Sequence, residues 1–198
     1  NHERREGGYG YFKGTSACFS ALYFAKRYRE VLELLELAPH KFWHYRQWGV
    51  KALIAMGKKK EGLRFAEESH GLNENPISIA EACESILLSS GLTEEAYRRY
   101  AIQANQKTTY LSTFRAIAKK YPGKKVEMIL SDLVASTPGR EGKWFAAANS
   151  AGLYAQALEL ARRSHCDPKT LLRASRDRLE SEPIFAAEVG FLSLYWIV

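Results

Sequence analysis

The amino-acid sequence predicts an all-α fold, in the form of an α-solenoid of about six antiparallel helical hairpins. Apolar residues recur every three or four positions along most of the chain, whereas the alternation typical of strands is nearly absent. The chain also lacks the Asn-Gly and Asp-Gly pairs that mark tight strand hairpins. Short turns recur at intervals of 29 to 34 residues, a period typical of stacked helix–turn–helix units.

Each helix is predicted from its apolar face and from the residues that begin it. Asn75-Pro76 and Asp167-Pro168 each combine a capping side chain with proline at the first helical position. The predicted helices cover residues 16–25, 28–37, 41–56, 59–70, 77–89, 94–105, 107–121, 124–135, 142–150, 154–164, 168–180 and 184–196.

The segment 107–121 shows the helical pattern most clearly. Tyr110, Phe114 and Ile117 recur at three- and four-residue spacing and therefore share one apolar face. The polar row beside that face consists of Thr108, Ser112, Arg115 and Lys119. This pattern predicts a helix that buries one side against its neighbours and exposes the other.

The turns within the predicted hairpins share a common pattern. The residues that follow the first helix of a pair are Ala25, Gly57, Gly91, Gly123 and Gly152. Glycine at such a position supplies the left-handed backbone that lets the chain reverse. Five residues after three of these glycines come Gly62, Ala96 and Ala157, which are small enough to let the two helices of a hairpin approach closely.

With these residues the chain resembles the tetratricopeptide-repeat superfamily in a degenerate form. The matching positions are Tyr45, Trp48, Gly49, Gly57, Gly62 and Leu63, followed by Ile79, Ala82, Cys83, Gly91 and Ala96. Met128 departs from the pattern, since it occupies the small position after Gly123. The resemblance implies a right-handed superhelix that binds partners in a groove and is not an enzyme. Clathrin-type and HEAT-type helical hairpins are the alternatives that remain open.

Composition indicates a soluble globular protein. Lys and Arg number 29 against 22 Asp and Glu, which gives a net charge of +7 at pH 7. Three widely spaced cysteines exclude a disulfide scaffold, so we expect a reducing, cytoplasmic location. We predict a flexible segment over 1–15 and a helical-repeat domain over 16–198, within a longer natural chain.

The end of the chain is strongly apolar. Residues 189–198 carry no charge, but ten residues are about half of the roughly 20 that a membrane-spanning helix needs. We therefore predict a buried final helix and no membrane partner.

No motif predicts catalysis, a metal site or a cofactor. His40 and His44 are four residues apart, but no cysteine or carboxylate nearby completes a ligand set. His165 and Cys166 are adjacent, and the side chains of adjacent residues diverge, so a catalytic pair is not expected. Asp167 is predicted to cap the following helix.

Positive charge is concentrated between residues 96 and 126. This stretch contains eight basic residues and no Asp or Glu: Arg98, Arg99, Lys107, Arg115, Lys119, Lys120, Lys124 and Lys125. We call these eight residues the basic stretch. Localised positive charge attracts acidic peptides or phosphates.

These observations predict a protein–protein interaction scaffold that binds a segment of another protein in its groove, and an acidic segment is one candidate. The groove candidates are His44, Lys51, Glu84, Ser112, Arg115, Lys119 and Asn149. The alternative is a nucleic-acid-binding helical array that uses the basic stretch, although base-reading residues are not repeated once per unit. The sequence contains no indication of the oligomeric state.

Overall fold

The computed structural model describes residues 14–38, 41–69 and 76–197. These residues form twelve α-helices and one short 3₁₀ helix and contain no strand, which confirms the all-α prediction. The chain divides into two compact units, Asn1–Ala104 and Asn105–Val198. The arrangement as about six hairpins in a right-handed superhelix stays a prediction, as does the division into segments 1–15 and 16–198. Of the first segment only residues 14 and 15 are described, and Thr15 begins the first helix.

The first unit contains six described helices. They are α1 (Thr15–Phe24), α2 (Tyr28–Glu36), α3 (Trp43–Ala55), α4 (Lys59–Glu67), α5 (Pro76–Leu88) and α6 (Thr93–Ala104). Each helix packs against the next one along the chain, and α1 also contacts α3. Two apolar clusters form the core, one around Phe19, Val31 and Leu35 and the other around Ile79 and Ile86.

The second unit contains the other described helices. They are α7 (Tyr110–Lys120), α8 (Val126–Ala135), the 3₁₀ helix (Glu141–Trp144), α9 (Phe145–Ser150), α10 (Tyr154–Arg163), α11 (Pro168–Arg178) and α12 (Pro183–Tyr195). α7 packs against α8 and α9, and α12 packs against α10 and α11. Ile117, Leu130, Phe145, Leu171 and Val189 are among the fully buried side chains.

Three of the five predicted turn positions adopt the left-handed backbone conformation. Gly57, Gly91 and Gly152 have φ angles of 77°, 76° and 75°. In the first turn, Lys26 adopts this conformation instead of Ala25, and Gly123 has no positive φ. The chain therefore reverses by more than one turn geometry, and the glycine pattern alone marks only some of the reversals.

The predicted small positions are buried where neighbouring helices pack. Ala96 and Ala157 are completely inaccessible to solvent, and Gly62 is buried. In α3, Gly49 allows α4 to approach closely, because a Cβ at this position would lie 2.7 Å from Cε1 of Phe65. The small residue beside Trp48 thus makes room for an aromatic ring of the following helix.

α12 is buried on one face only. Phe185, Ala186, Val189 and Ser193 face the core of the second unit, whereas several large apolar side chains on the other face are exposed. The prediction of a buried final helix is therefore wrong for half of the helix. Within the described part of the chain, no helix combines the length and apolar character needed to cross a bilayer.

Candidate partner-binding site

The polar row of α7 and the C-terminal end of α9 meet in the second unit. α7 packs along α9, and Nη2 of Arg115 donates a hydrogen bond of 2.9 Å to Oγ of Ser150. Asn149 precedes Ser150 on α9, and Lys119 follows Arg115 by about one turn on α7. We call Ser112, Arg115, Lys119, Asn149 and Ser150 the α7–α9 surface.

The start of α7 is held by a capping box. Oγ1 of Thr109 accepts a hydrogen bond of 3.1 Å from the backbone nitrogen of Ser112. In return, the backbone nitrogen of Thr109 donates to Oγ of Ser112 at 3.2 Å. The two side-chain oxygens accept hydrogen bonds from backbone N–H groups that a helix start leaves without a partner. Ser112 therefore contributes to the surface mainly by positioning α7.

The two cations of the α7–α9 surface have no described counter-ion. Arg115 and Lys119 are exposed, and neither pairs with a carboxylate of the described residues. Lys119 also lies in the last turn of α7, where a positive charge suits the negative end of the helix dipole. The surface therefore presents two positive charges on one face of one helix.

Asn149 brings an unsatisfied acceptor to the same surface. Its Oδ1 atom is buried and accepts no hydrogen bond from any described residue. A buried acceptor without a donor costs about 1–3 kcal/mol, because the group loses its hydrogen bonds to water.

The basic stretch does not lie in one unit. Arg98 and Arg99 belong to α6 of the first unit, and the other six residues belong to the second. Nζ of Lys120 donates a hydrogen bond of 3.1 Å to Oδ1 of Asn105. Lys107 and Lys125 are exposed and Lys124 is half-buried.

Arg99 is paired with acidic residues, although the basic stretch contains none. Its guanidinium forms ion pairs with Glu67 of α4 and with Glu95, the latter at 2.9 Å. Glu67 precedes Arg99 by 32 residues, so a scan along the sequence cannot detect it as a partner. The charge of Arg99 is therefore balanced, although residues 96–126 contain no Asp or Glu.

The three candidates of the first unit lie in different surroundings. His44 is exposed and stacks on Phe42, with ring centroids 5.5 Å apart. Nζ of Lys51 lies 4.3 Å from the ring centroid of Trp48. Glu84 is completely buried, so its carboxylate does not line a surface. The nearby apolar residues Cys83, Ile86 and Leu87 of α5 are buried as well.

The buried thiols are poor nucleophiles. Burial raises the pKa of Cys83 to about 11 and that of Cys166 to about 12. Both thiols therefore stay protonated at neutral pH, whereas nucleophilic attack requires the thiolate. Asp167 caps α11 as predicted, because its carboxylate accepts a hydrogen bond of 3.0 Å from the backbone nitrogen of Thr170.

Sequence reasoning did not find the polar cluster between α4, α5 and α6. The hydroxyl of Tyr100 donates a hydrogen bond to Glu67, which also pairs with Arg99. Burial and this hydrogen bond raise the pKa of Tyr100. The signal in the sequence is weak, because an aromatic residue next to an arginine is common on an exposed helix.

Among the described residues, no three His, Cys, Asp or Glu side chains come together as a metal site. His40, the partner of His44 in the rejected metal motif, lies outside the described residues. Comparison with protein-family models, with curated proteins and with solved structures finds no match to this chain.

Proposed function

We propose that this chain is a protein–protein interaction scaffold of the tetratricopeptide-like kind, without catalysis of its own, and that the α7–α9 surface binds an acidic segment of a partner protein. The hydrogen bond from Arg115 to Ser150 carries this proposal. It joins the polar faces of two helices that belong to different predicted repeats, which is how a repeat protein forms a continuous binding surface.

The spacing of the two cations suits an extended acidic peptide. Residues four apart on a helix have Cβ atoms roughly 5–6 Å apart. In an extended chain, alternate side chains point the same way and are separated by roughly 6.5 Å. Two carboxylates at alternate positions of a partner can therefore face Arg115 and Lys119.

The turns and small positions support the repeat architecture. Left-handed glycines end the first helix in three of the predicted hairpins, and buried small residues follow five positions later. In each described unit the helices pack mainly on their neighbours in sequence, which is typical of helical repeats. The proposed superhelix is right-handed and the proposed location is the cytoplasm.

The first prediction concerns the variant in which Arg115→Glu and Lys119→Glu are combined. We expect its affinity for a fluorescein-labelled peptide of alternating Glu and Ser to fall by about tenfold or more, because attraction becomes repulsion at both sites. Fluorescence anisotropy at low salt measures this affinity. Helix content by circular dichroism should stay unchanged, since both side chains are exposed.

A matched control makes the same charge change at the same spacing on another helix. Lys169 and Arg173 are exposed on α11 and are also four residues apart. The variant with Lys169→Glu and Arg173→Glu should bind the acidic peptide with nearly the affinity of the unsubstituted chain. Equal losses in both variants would show a general charge effect and would overturn the proposed site.

The second candidate function is nucleic-acid binding through the lysines around the end of α7. Lys119, Lys120, Lys124 and Lys125 lie within seven consecutive residues, and Lys125 directly precedes α8. Phosphate contacts by these lysines would release counter-ions, so the affinity would fall steeply with salt.

The second prediction separates the two functions. If the chain binds nucleic acid, Lys124→Glu with Lys125→Glu should weaken binding of a single-stranded RNA oligonucleotide. The slope of log affinity against log salt concentration should also become shallower, by an amount that corresponds to about two phosphate contacts. A mobility-shift assay at two salt concentrations measures both quantities. Peptide binding at the α7–α9 surface should change little in that variant. Absence of any RNA complex at low salt would remove the nucleic-acid function.

A further inference from the structure

The outer face of α12 is mostly apolar. Its exposed side chains are Ile184 (77% exposed), Phe191 (72%), Leu194 (61%) and Tyr195 (68%), with Ala187 between them. These positions recur at three-, four- and seven-residue spacing and share one side of the helix. We call them the α12 face. It lies opposite Phe185 and Val189, which pack into the core of the second unit.

Three polar contacts hold α12 in place and so define the orientation of this face. Oγ of Ser175 on α11 donates a hydrogen bond of 2.7 Å to the carbonyl of Ala186. Nε1 of Trp196 donates at 2.9 Å to the carbonyl of Ala161 on α10. The third contact joins Arg162 of α10 to Glu188 at 2.6 Å.

One ion pair borders the apolar residues of the α12 face. Glu188, the one charged residue of α12, lies four residues after Ile184 and three before Phe191, and it pairs with Arg162 of α10, so the pair adds no net charge. Surface helices normally place polar residues opposite the core, and helices that are apolar all round are buried. The neighbouring α10 follows the normal pattern, since Gln156 and Glu159 are exposed. α12 therefore has apolar residues on two faces, and the described chain covers one of these faces.

The size of the patch indicates what covers it. The large side chains of the α12 face and Ile197 are each about two-thirds exposed. Together they present roughly 600 Å² of solvent-accessible side-chain area. A standard interface buries about 800 Å² on each partner. Leu172 of α11, the helix that packs against α12, is also an exposed apolar side chain, as is Leu179, which directly follows α11. The available area thus approaches that of a stable dimer interface.

We propose that the α12 face binds the α12 face of a second copy of this chain, which forms a two-fold symmetric dimer. In such an interface the same patch faces itself, so the patch must be self-complementary. A neutral apolar face meets this condition, because it brings no like charges together. The dimer interface shares no residue with the α7–α9 surface, so it is independent of the proposed function.

A membrane surface is the less favoured occupant. Helices that lie in a bilayer interface combine an apolar face with a polar face rich in Lys and Arg. α12 contains no Lys or Arg. Its other face is packed into the protein core, which leaves no polar face to meet the lipid headgroups.

The third prediction tests the dimer by sedimentation velocity over a range of micromolar concentrations. We expect a dimer whose stability does not fall with added salt, because apolar burial holds it. The variant combining Phe191→Glu with Leu194→Glu should be a monomer, with an affinity for self-association at least about 100-fold lower. Its circular dichroism should match that of the unsubstituted chain, since both side chains are exposed.

A matched control places the same charges on exposed apolar residues of the first unit. Phe24 and Leu37 are 76% and 79% exposed. Phe24→Glu with Leu37→Glu should leave the dimer intact. A monomeric unsubstituted chain, or dissociation by the control variant, would overturn the proposal. So would α12-dependent binding to phosphatidylcholine–phosphatidylserine vesicles by a chain that sediments as a monomer.

Discussion

Replacing Gly142 with alanine is expected to lower the free energy of unfolding by about 3 kcal/mol, because a Cβ at this position collides with backbone atoms. The added carbon would lie 2.4 Å from the carbonyl oxygen of Ser164 and 2.6 Å from that of His165. Backbone atoms cannot move aside as the end of a side chain can. The 3₁₀ helix must therefore shift away from the end of α10.

The same substitution should disturb the α7–α9 surface. Gly142 lies in the 3₁₀ helix that leads directly into α9, and its backbone nitrogen donates a hydrogen bond of 2.7 Å to Oγ of Ser164. A displaced 3₁₀ helix moves Asn149 and Ser150 relative to α7. We therefore expect weaker binding of the acidic peptide as well as lower stability.

Gly123 provides the matched control for this prediction. A Cβ there meets no atom within 4 Å, and its φ angle is not positive. Gly123→Ala should change the free energy of unfolding by less than about 0.5 kcal/mol. Urea denaturation followed by circular dichroism and tryptophan fluorescence measures both variants. Indistinguishable stabilities of the two would contradict the close backbone packing at Gly142.

Replacing Arg46 with alanine is expected to cost about 2–4 kcal/mol of stability, which is the second-largest effect we predict. Arg46 is only 7% exposed, and burial lowers its pKa because the charged form loses hydration. Nε donates to Oγ of Ser69 at 2.6 Å, and Nη2 donates to the carbonyl of Phe65 at 3.2 Å. The guanidinium also lies 3.7 Å from the centroid of the Phe65 ring.

These contacts connect α3 to the end of α4, so their loss should loosen the first unit. Phe65 packs between the guanidinium of Arg46 and the bare Cα of Gly49. Alanine at position 46 would remove two hydrogen bonds and one side of this aromatic contact. Lysine would restore the charge but not the planar fork, so we expect Arg46→Lys to be nearly as unstable as Arg46→Ala.

Lys51 is the matched control for Arg46 on the same helix. Its ammonium also lies over an aromatic ring, that of Trp48 at 4.3 Å, but Lys51 is exposed. An exposed contact of this kind contributes about 0.5–1 kcal/mol. Thermal denaturation should therefore show a much smaller loss for Lys51→Ala. A similar melting temperature for the Arg46→Ala variant and the unsubstituted chain would refute the structural role of Arg46.

The helices were predictable because their signals are local. The apolar spacing over 107–121 predicts α7, and Asp167-Pro168 predicts the start of α11, since the relevant contacts lie within one or two turns. The glycine pattern predicts the reversals at Gly57, Gly91 and Gly152 for the same reason. It fails at Ala25, where a lysine one residue later takes the left-handed conformation.

The candidate site was predictable only in part. Arg115 and Lys119 follow from the polar row of one helix, but Ser150 enters the α7–α9 surface through a contact across 35 residues of sequence. Glu84 shows the opposite case, because this charged residue is completely buried although it stands next to the exposed Ser85. No local pattern distinguishes such a residue from one on a groove wall.

By itself, the sequence determined the all-α class, the succession of helices and the local excess of positive charge, because each depends on residues within a few turns of one another. Tertiary structure alone decided which charges are balanced and which apolar faces are covered. Arg99 meets Glu67 only after α4 and α6 pack near each other. The α12 face remains exposed because its helix packs on one side only. Such outcomes depend on contacts between distant segments, and the order of residues does not encode those contacts locally.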